Sequence, residues 1–289
     1  MRFRNRIATV VVAMAIFSFA TIPAHKSAAK ESTTLRINGA TTVAPVVAKA
    51  AEKFRLRRPG VRLLVSPTGS GAGVQALGSG TADIAMVSRD VEPAEKKQFK
   101  NVDFFVVAVG RDAVVPVVSA AVYNAGVTAV SLDDLRKIYS GAVTNWKHFG
   151  GPDREILAID KEASRGTRVV FMESVFGDGN AKAAGAKLVT GSNNEEQSAV
   201  AQSDSAIGML SNAWMNEKVR GLAIKMGQKR IEPTLANINK RIFPIMRDLN
   251  LVTNGKPKGL AKEFIDFVLS PEGQVIVEAL EYVPINATK

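Results

Sequence analysis

The chain predicts an α/β protein built on mostly parallel, doubly wound sheets. Three observations carry that expectation. Short runs of β-branched and apolar residues alternate with stretches of helical periodicity. The turn from strand to helix is repeatedly polar and glycine-containing. The length of 289 residues, 46% hydrophobic and 22% charged, suits a globular protein with room for two modest lobes.

In chain order, residues 35–38 form a short strand ending at Gly39, and Thr41 or Thr42 caps the helix that follows. Its apolar positions Val43, Val46, Val47, Ala50 and Phe54 recur at helical spacing, and Pro59-Gly60 closes it. A strand over 61–66 runs into Thr68-Gly69-Ser70-Gly71-Ala72-Gly73, then a short helix ends at Gly78-Ser79-Gly80. Residues 82–87 are another apolar strand, followed by Ser88-Arg89-Asp90. The segment 92–99, opened by Pro93, reads as an exposed helix. Two β-branched runs, 104–109 and 113–118, are split by Gly110-Arg111-Asp112. Ser131-Leu132-Asp133-Asp134 has the pattern of a capping box for a helix over 132–139. After a turn-rich connection, a strand over 155–159 leads through Asp160-Lys161-Glu162-Ala163-Ser164-Arg165-Gly166-Thr167-Arg168 into a helix carrying Val169, Val170, Met172, Val175 and Phe176. Residues 198–202 are a short helix and 206–210 a strand. The segment 231–243 is polar and proline-containing, and 249–252 is again a strand. Helix 260–269 precedes Ser270-Pro271-Glu272, a cap with proline at the first helical position of the last helix.

The N-terminus is different in kind. Arg2, Arg4 and Arg6 precede an uncharged apolar run over 7–22, then Pro23 and small residues at Ala24 and Ser27-Ala28-Ala29. Basic, apolar and small-residue zones in that order make a secretory signal peptide over 1–29. The apolar run is shorter than the ~20 residues of a membrane span. There are no cysteines, which excludes disulfides and a lipid-modified cysteine. The expected location is the periplasm. Removing Arg2, Arg4, Arg6 and Lys26 lowers the formal charge from +11 to 11 − 4 = +7. No Lys/Arg run resembles a nucleic-acid arm, and Tyr and Trp number 3 and 2, too few for a stacking platform, so a small anion is the expected partner.

Glycines in the 69–73 turn let the backbone expose its N–H groups at a helix start, where the helix dipole favours negative charge. Alone, such a turn is equally a turn that binds nothing, and it matches neither common nucleotide fingerprint. The pattern recurs, however, at Thr41-Thr42, at Gly166-Thr167-Arg168 and, as a fourth case, at Ser88-Arg89. Several helix starts with hydroxyls and a nearby arginine are what a desolvated tetrahedral oxyanion requires. In open α/β sheets such loops gather at the carboxyl ends of the strands. With no Cys and one His after the signal, His148, neither a metal site nor a Ser-His-Asp arrangement is expected; nor is a cofactor.

The chain resembles the phosphate-binding periplasmic component of ABC transporters. The resemblance lies in Gly39-Ala40-Thr41-Thr42-Val43-Ala44-Pro45, Gly69-Ser70-Gly71-Ala72-Gly73 and Ala82-Asp83-Ile84-Ala85-Met86-Val87-Ser88-Arg89. It continues in Leu132-Asp133-Asp134-Leu135-Arg136-Lys137-Ile138-Tyr139-Ser140-Gly141, Asn145-Trp146-Lys147, Arg165-Gly166-Thr167-Arg168 and Phe264-Ile265-Asp266-Phe267-Val268-Leu269-Ser270-Pro271-Glu272-Gly273-Gln274. It implies a two-lobed type II periplasmic binding protein, each lobe a mostly parallel sheet flanked by helices. Lobe one would hold 30–112 plus 240–289 and lobe two 113–239. The implied function is capture of inorganic phosphate between the lobes and delivery to a membrane permease, by a monomer that is not an enzyme. The implied ligand residues are Thr41, Thr42, Ser70, Gly71, Ser88, Gly166 and Thr167, with Arg168 and Arg89 supplying charge.

Two departures bear on selectivity. Relatives read Gly-Ser-Gly-Thr-Arg where this chain has Ser164-Arg165-Gly166-Thr167-Arg168, so Arg165 either grips the anion or points away. Long-form relatives carry an aspartate at the position of Ser88, which accepts the proton that phosphate retains and repels sulfate. Selectivity here rests elsewhere, on Asp90 or Glu162, or is lower. Another oxyanion such as sulfate or molybdate is therefore the alternative ligand, and a phosphate-ester hydrolase the alternative of another class. Ser192-Asn193-Asn194 either lines the cleft or caps a helix.

Overall fold

The computed structural model describes residues 33–285; the signal-peptide segment lies outside the described residues. The chain runs β1 (Thr34–Gly39), α1 (Ala44–Arg57), β2 (Arg62–Pro67), α2 (Ser70–Gly78), β3 (Ile84–Val87) and α3 (Pro93–Gln98). It continues through β4 (Phe104–Ser119), α4 (Ala120–Asn124), β5 (Ala129–Ser131), α5 (Leu132–Ser140), β6 (Leu157–Lys161) and α6 (Gly166–Phe176). Then come β7 (Leu188–Thr190), α7 (Asn193–Gln202), β8 (Ala206–Ser211), β9 (Val219–Gly221), β10 (Ala223–Met226) and β11 (Lys229–Ile231). The last elements are α8 (Leu235–Asn239), β12 (Met246–Asn254), α9 (Gly259–Leu269) and α10 (Pro271–Ala279).

One sheet carries the strand order β2-β1-β3-β12-β4-β8-β6-β7, with β9 also on β4. Its wings are parallel, as the alternating pattern predicts: β1 pairs β2 and β3, and β6 pairs β7 and β8. Its centre is antiparallel, because β4 and β12 run against each other and against β8 and β3. A small sheet, β11-β10-β5, stands apart.

Two cores flank the centre. One gathers α1, α9 and α10 around Val47, Phe54, Ile84, Phe264 and Val268, with Phe54 edge-on to Phe264 at 5.5 Å. The other gathers Val115, Tyr139, Trp146, Phe171 and Ile207. Trp146 is fully buried there and donates its indole N–H to Ser205 O at 2.8 Å. The two central strands pass from one core to the other: Val109 and Leu249 belong to the first, Ala113 and Ile245 to the second.

The runs 104–109 and 113–118 are one strand of 16 residues, not two. Gly110-Arg111-Asp112 reads as a break because two charges interrupt the apolar run. They are tolerated because cross-strand partners neutralise them: Arg111 pairs Asp248, and Asp112 pairs Arg247 directly opposite. The capping box at Ser131 forms as expected, the Ser131 hydroxyl accepting from Asp134 N at 3.0 Å. α3 is not wholly exposed. Glu95 turns inward as half of a capping box with Glu92 and meets Arg89. The 231–243 segment holds the last residue of β11 and the whole of α8, and α7 begins earlier than 198, at Asn193.

Candidate anion-binding site

Strands β1, β2, β3, β6 and β7 end at one place, and the turns after them meet there. The turn after β1 needs a glycine. At Gly39, with φ +139°, a Cβ would lie 2.1 Å from Met86 O of the neighbouring strand. No side chain caps α1, α2 or α6. Ala44 N is taken by Ala40 O and Gly71 N by Ser164 O, and the remaining first-turn N–H groups and the helix dipoles are left to whatever occupies the cavity they surround.

That cavity is lined by Ala40, Thr41, Thr42, Gly69, Ser70, Ser88, Lys161, Arg165, Gly166, Thr167, Ser192 and Asn193. The centre of a water-sized sphere can move through about 10 Å³ of it. A spherical void of that freedom has a radius of about 2.7 Å, the scale of one tetrahedral oxyanion and too small for an organic ligand.

Eight lining residues come from polar types that donate hydrogen bonds through their side chains: Thr41, Thr42, Ser70, Ser88, Thr167, Ser192, Asn193 and Lys161, with Arg165 as a ninth. Most are deeply buried and mutually bonded. Ser70 Oγ accepts from Ser88 N at 3.1 Å and lies 3.3 Å from Ser88 Oγ. Asn193 Nδ2 donates to Thr42 Oγ1 at 3.0 Å, and Thr42 Oγ1 lies 3.5 Å from Thr167 Oγ1. Ser192 both lines the cavity and caps α7, accepting from Glu195 N at 3.2 Å. Gly166 permits close approach: a Cβ there would sit 2.4 Å from Ser70 Oγ and 2.5 Å from Ser88 Oγ.

Of the ten residues the sequence singles out, Thr41, Thr42, Ser70, Ser88, Arg165, Gly166 and Thr167 line the cavity. Gly71 does not; its N–H is taken by Ser164 O at 3.1 Å, tying the α2 turn to the α6 turn. Arg168 and Arg89 require correction as sources of charge at the cavity. Arg168 Nε donates to both oxygens of Asp160 at 3.0 and 3.1 Å, and Nη2 donates to Ala181 O at 2.7 Å. Arg89 grips Glu95 with Nη1 at 2.9 Å and Nη2 at 2.7 Å. Both are buried, and burial forces an arginine onto the nearest carboxylate. Arg165 lines the cavity and also bridges its mouth. Its guanidinium pairs with Glu162 and donates through Nη1 to Thr68 O at 2.7 Å. Asp90 is exposed and Glu162 is tied to Arg165, so neither presents a carboxylate to the cavity.

Two cationic centres escape the sequence reading. Lys161, at the end of β6, lines the cavity with its side chain 2% exposed and pairs with the fully buried Glu196 of α7. Burial pushes Glu196 up to about 7 despite the attraction of Lys161, and burial lowers Lys161. Arg247 stands behind Thr42 and Thr167, held by Asp112 through Nε at 2.7 Å and Nη2 at 3.0 Å. A signal existed for both. Asp112, Arg247 and Lys161 are charges set into or beside apolar strands, where an unpaired charge would be very costly.

Known proteins point the same way. The model of the PBP superfamily domain matches residues 24–272. The phosphate-binding protein PstS of Bacillus subtilis (strain 168) is 32% identical over 266 residues, covering 91% of this chain and 85% of that protein. The chain belongs to the PstS family of the PBP superfamily. A phosphate ABC transporter substrate-binding protein from Clostridium perfringens, solved with bound phosphate, superposes with a TM-score of 0.79 at 28% identity, over 88% of this chain and 100% of that one. An ABC-type phosphate transport receptor from Vibrio cholerae gives 0.68 at 28% identity, over 86% and 99%. The PstS family fold is thus the mixed α/β architecture of type II periplasmic binding proteins, as the sequence leads one to expect.

Proposed function

We propose that this PstS-family chain is a periplasmic receptor that captures inorganic phosphate and hands it to the permease of an ABC transporter. The observation that carries the reading is a cavity of single-ion size where three uncapped helix N-termini meet a ring of hydroxyls and a buried lysine. Charge-assisted hydrogen bonds from such donors are roughly twice as strong as neutral ones. The relatives' names and the bound phosphate of the Clostridium structure support phosphate as the ion.

The two cores are read as two lobes, 30–112 with 240–289 and 113–239, joined by β4 and β12 and closing over the ion. Support comes from contacts that cross between them at the cavity: Asn193 to Thr42, Arg165 to Thr68 O and Gly71 to Ser164 O. Thr41, Thr42, Ser70, Ser88, Arg165, Gly166 and Thr167 are the proposed ligand residues, to which Lys161 and Asn193 are added. The basic and apolar N-terminus supports export, and the receptor is taken to act as a monomer that binds without turnover. Titration calorimetry with phosphate, sulfate, molybdate and arsenate tests the assignment. Phosphate binding with no hydrolysis of an aryl phosphate is expected. Failure to bind phosphate at millimolar concentration refutes it.

A further inference from the structure

We infer that Arg247, braced by Asp112, is a positioning residue that commits the hydroxyls of Thr42 and Thr167 to donating, making the cavity a site for dianionic tetrahedral oxyanions, sulfate as well as monohydrogen phosphate. The inference rests on reading the cavity as an anion site and concerns which anions it admits.

The guanidinium has five N–H bonds, and each has an acceptor. Nε and one Nη2 hydrogen go to Asp112, at 2.7 and 3.0 Å. The second Nη2 hydrogen goes to Thr42 Oγ1 at 3.3 Å. The two Nη1 hydrogens go to Thr167 Oγ1 and Ser88 O, both at 3.1 Å. Asp112 is fully buried and Arg247 is 7% exposed, so water does not compete for these bonds. The two residues face each other across β4 and β12, which fixes the fork rigidly.

A hydroxyl has two lone pairs and one proton. Both lone pairs of Thr42 Oγ1 are occupied, by Arg247 and by Asn193 Nδ2 at 3.0 Å. Thr167 Oγ1 already accepts from Arg247, and its other hydroxyl neighbour, Thr42 Oγ1, is 3.5 Å away. An anion oxygen is a better acceptor than that distant hydroxyl, so both protons turn to the anion. No carboxylate is among the lining residues. The nearby ones are occupied: Asp112 by Arg247, Glu162 by Arg165 and Glu196 by Lys161. Nothing charged therefore repels an anion that lacks a proton. The proton of monohydrogen phosphate is left to neutral groups such as Thr41, which gain nothing against sulfate.

The test is titration calorimetry of the purified protein with inorganic phosphate and with sulfate between about pH 5.5 and 8.5. Taking the ratio of the two affinities cancels protein groups that titrate alongside, Glu196 and Lys161 among them. Sulfate should bind within about tenfold of phosphate, and the phosphate-to-sulfate ratio should rise with pH as phosphate loses its second proton. Arg247→Lys keeps the charge but cannot fill five fixed positions. A threonine hydroxyl is then free to accept the extra proton of dihydrogen phosphate, so at the acid end the ratio should move at least fivefold towards phosphate and its pH slope should flatten. Asp112→Asn, which loosens the same fork, should shift the ratio in the same direction and serves if the lysine variant does not fold. A merely structural role would weaken both anions equally and leave the pH profile of the ratio in place. That result, or wild-type protein that binds phosphate but not millimolar sulfate, overturns the inference. Binding of neither anion overturns the anion site itself, and this inference with it.

Discussion

Gly166→Ala tests the proposed lobe closure separately from folding. Gly166 is the first residue of α6 and its φ is not positive, so alanine suits the backbone and is the better helix former. The added methyl would nevertheless stand 2.4 Å from Ser70 Oγ and 2.5 Å from Ser88 Oγ. Ordinary contact needs roughly 3.4 Å or more, so the walls must part by about 1 Å. Neither serine can swing away freely, since Ser70 Oγ holds Ser88 N and both are buried. Overpacking of this kind costs about 1–3 kcal/mol. Because the clash exists only when the α6 turn is seated against Ser70 and Ser88, the cost falls on the closed state and weakens phosphate binding by about 5- to 150-fold. Calorimetry measures the affinity, and thermal melting without ligand checks the fold, which should stay within about 1 kcal/mol of wild type. A folded variant with unchanged phosphate affinity would refute the idea that closure presses Gly166 onto the two serines.

Three further outcomes follow from the same geometry. Arg165→Ala removes the bridge to Thr68 O, a hydrogen bond from a charged donor worth about 1.5–3 kcal/mol at most and less at a partly exposed mouth; stopped-flow release of phosphate should quicken, with the association rate little changed. Arg168→Met leaves Asp160 buried without its partner and should cost about 3–5 kcal/mol in denaturant unfolding, while the affinity of the folded protein changes far less than for Gly166→Ala. Glu196 has a pKa raised by burial to about 7, above its unfolded value near 4.5. The folded protein therefore binds the proton more tightly, and the stability from Glu196 is full below about 4.5 and is lost as pH rises through about 7. Wild-type melting temperature should fall over that window, and Glu196→Gln, which mimics the protonated acid, should flatten the fall.

Much of the site was legible because it is built from local chemistry. A strand, a polar turn and an uncapped helix start form one continuous stretch, so Thr41-Thr42, Ser70 and Gly166-Thr167 could be singled out before their meeting place was known. Arginines were misjudged for a physical reason. Arg168 sits in the first turn of α6, yet that position does not say whether the long side chain reaches the cavity or Asp160, and burial decides for Asp160. Lys161, Asn193, Arg247 and Asp112 come from four separate elements, and no spacing along the chain links them.

Composition and periodicity alone determined the α/β class and the strand-turn-helix units, and short motifs carried the family resemblance, since all of these depend on neighbours within a few residues. Tertiary structure decided that β4 is continuous, that the sheet is antiparallel at its centre, and which cations face the cavity. Each of those is settled by partners far apart in the chain: Asp112 and Arg247 are 135 residues apart, and Thr42 meets Asn193 across 151. A buried charge or hydroxyl takes whichever partner packing brings within 3 Å or so, and packing is a property of the whole fold.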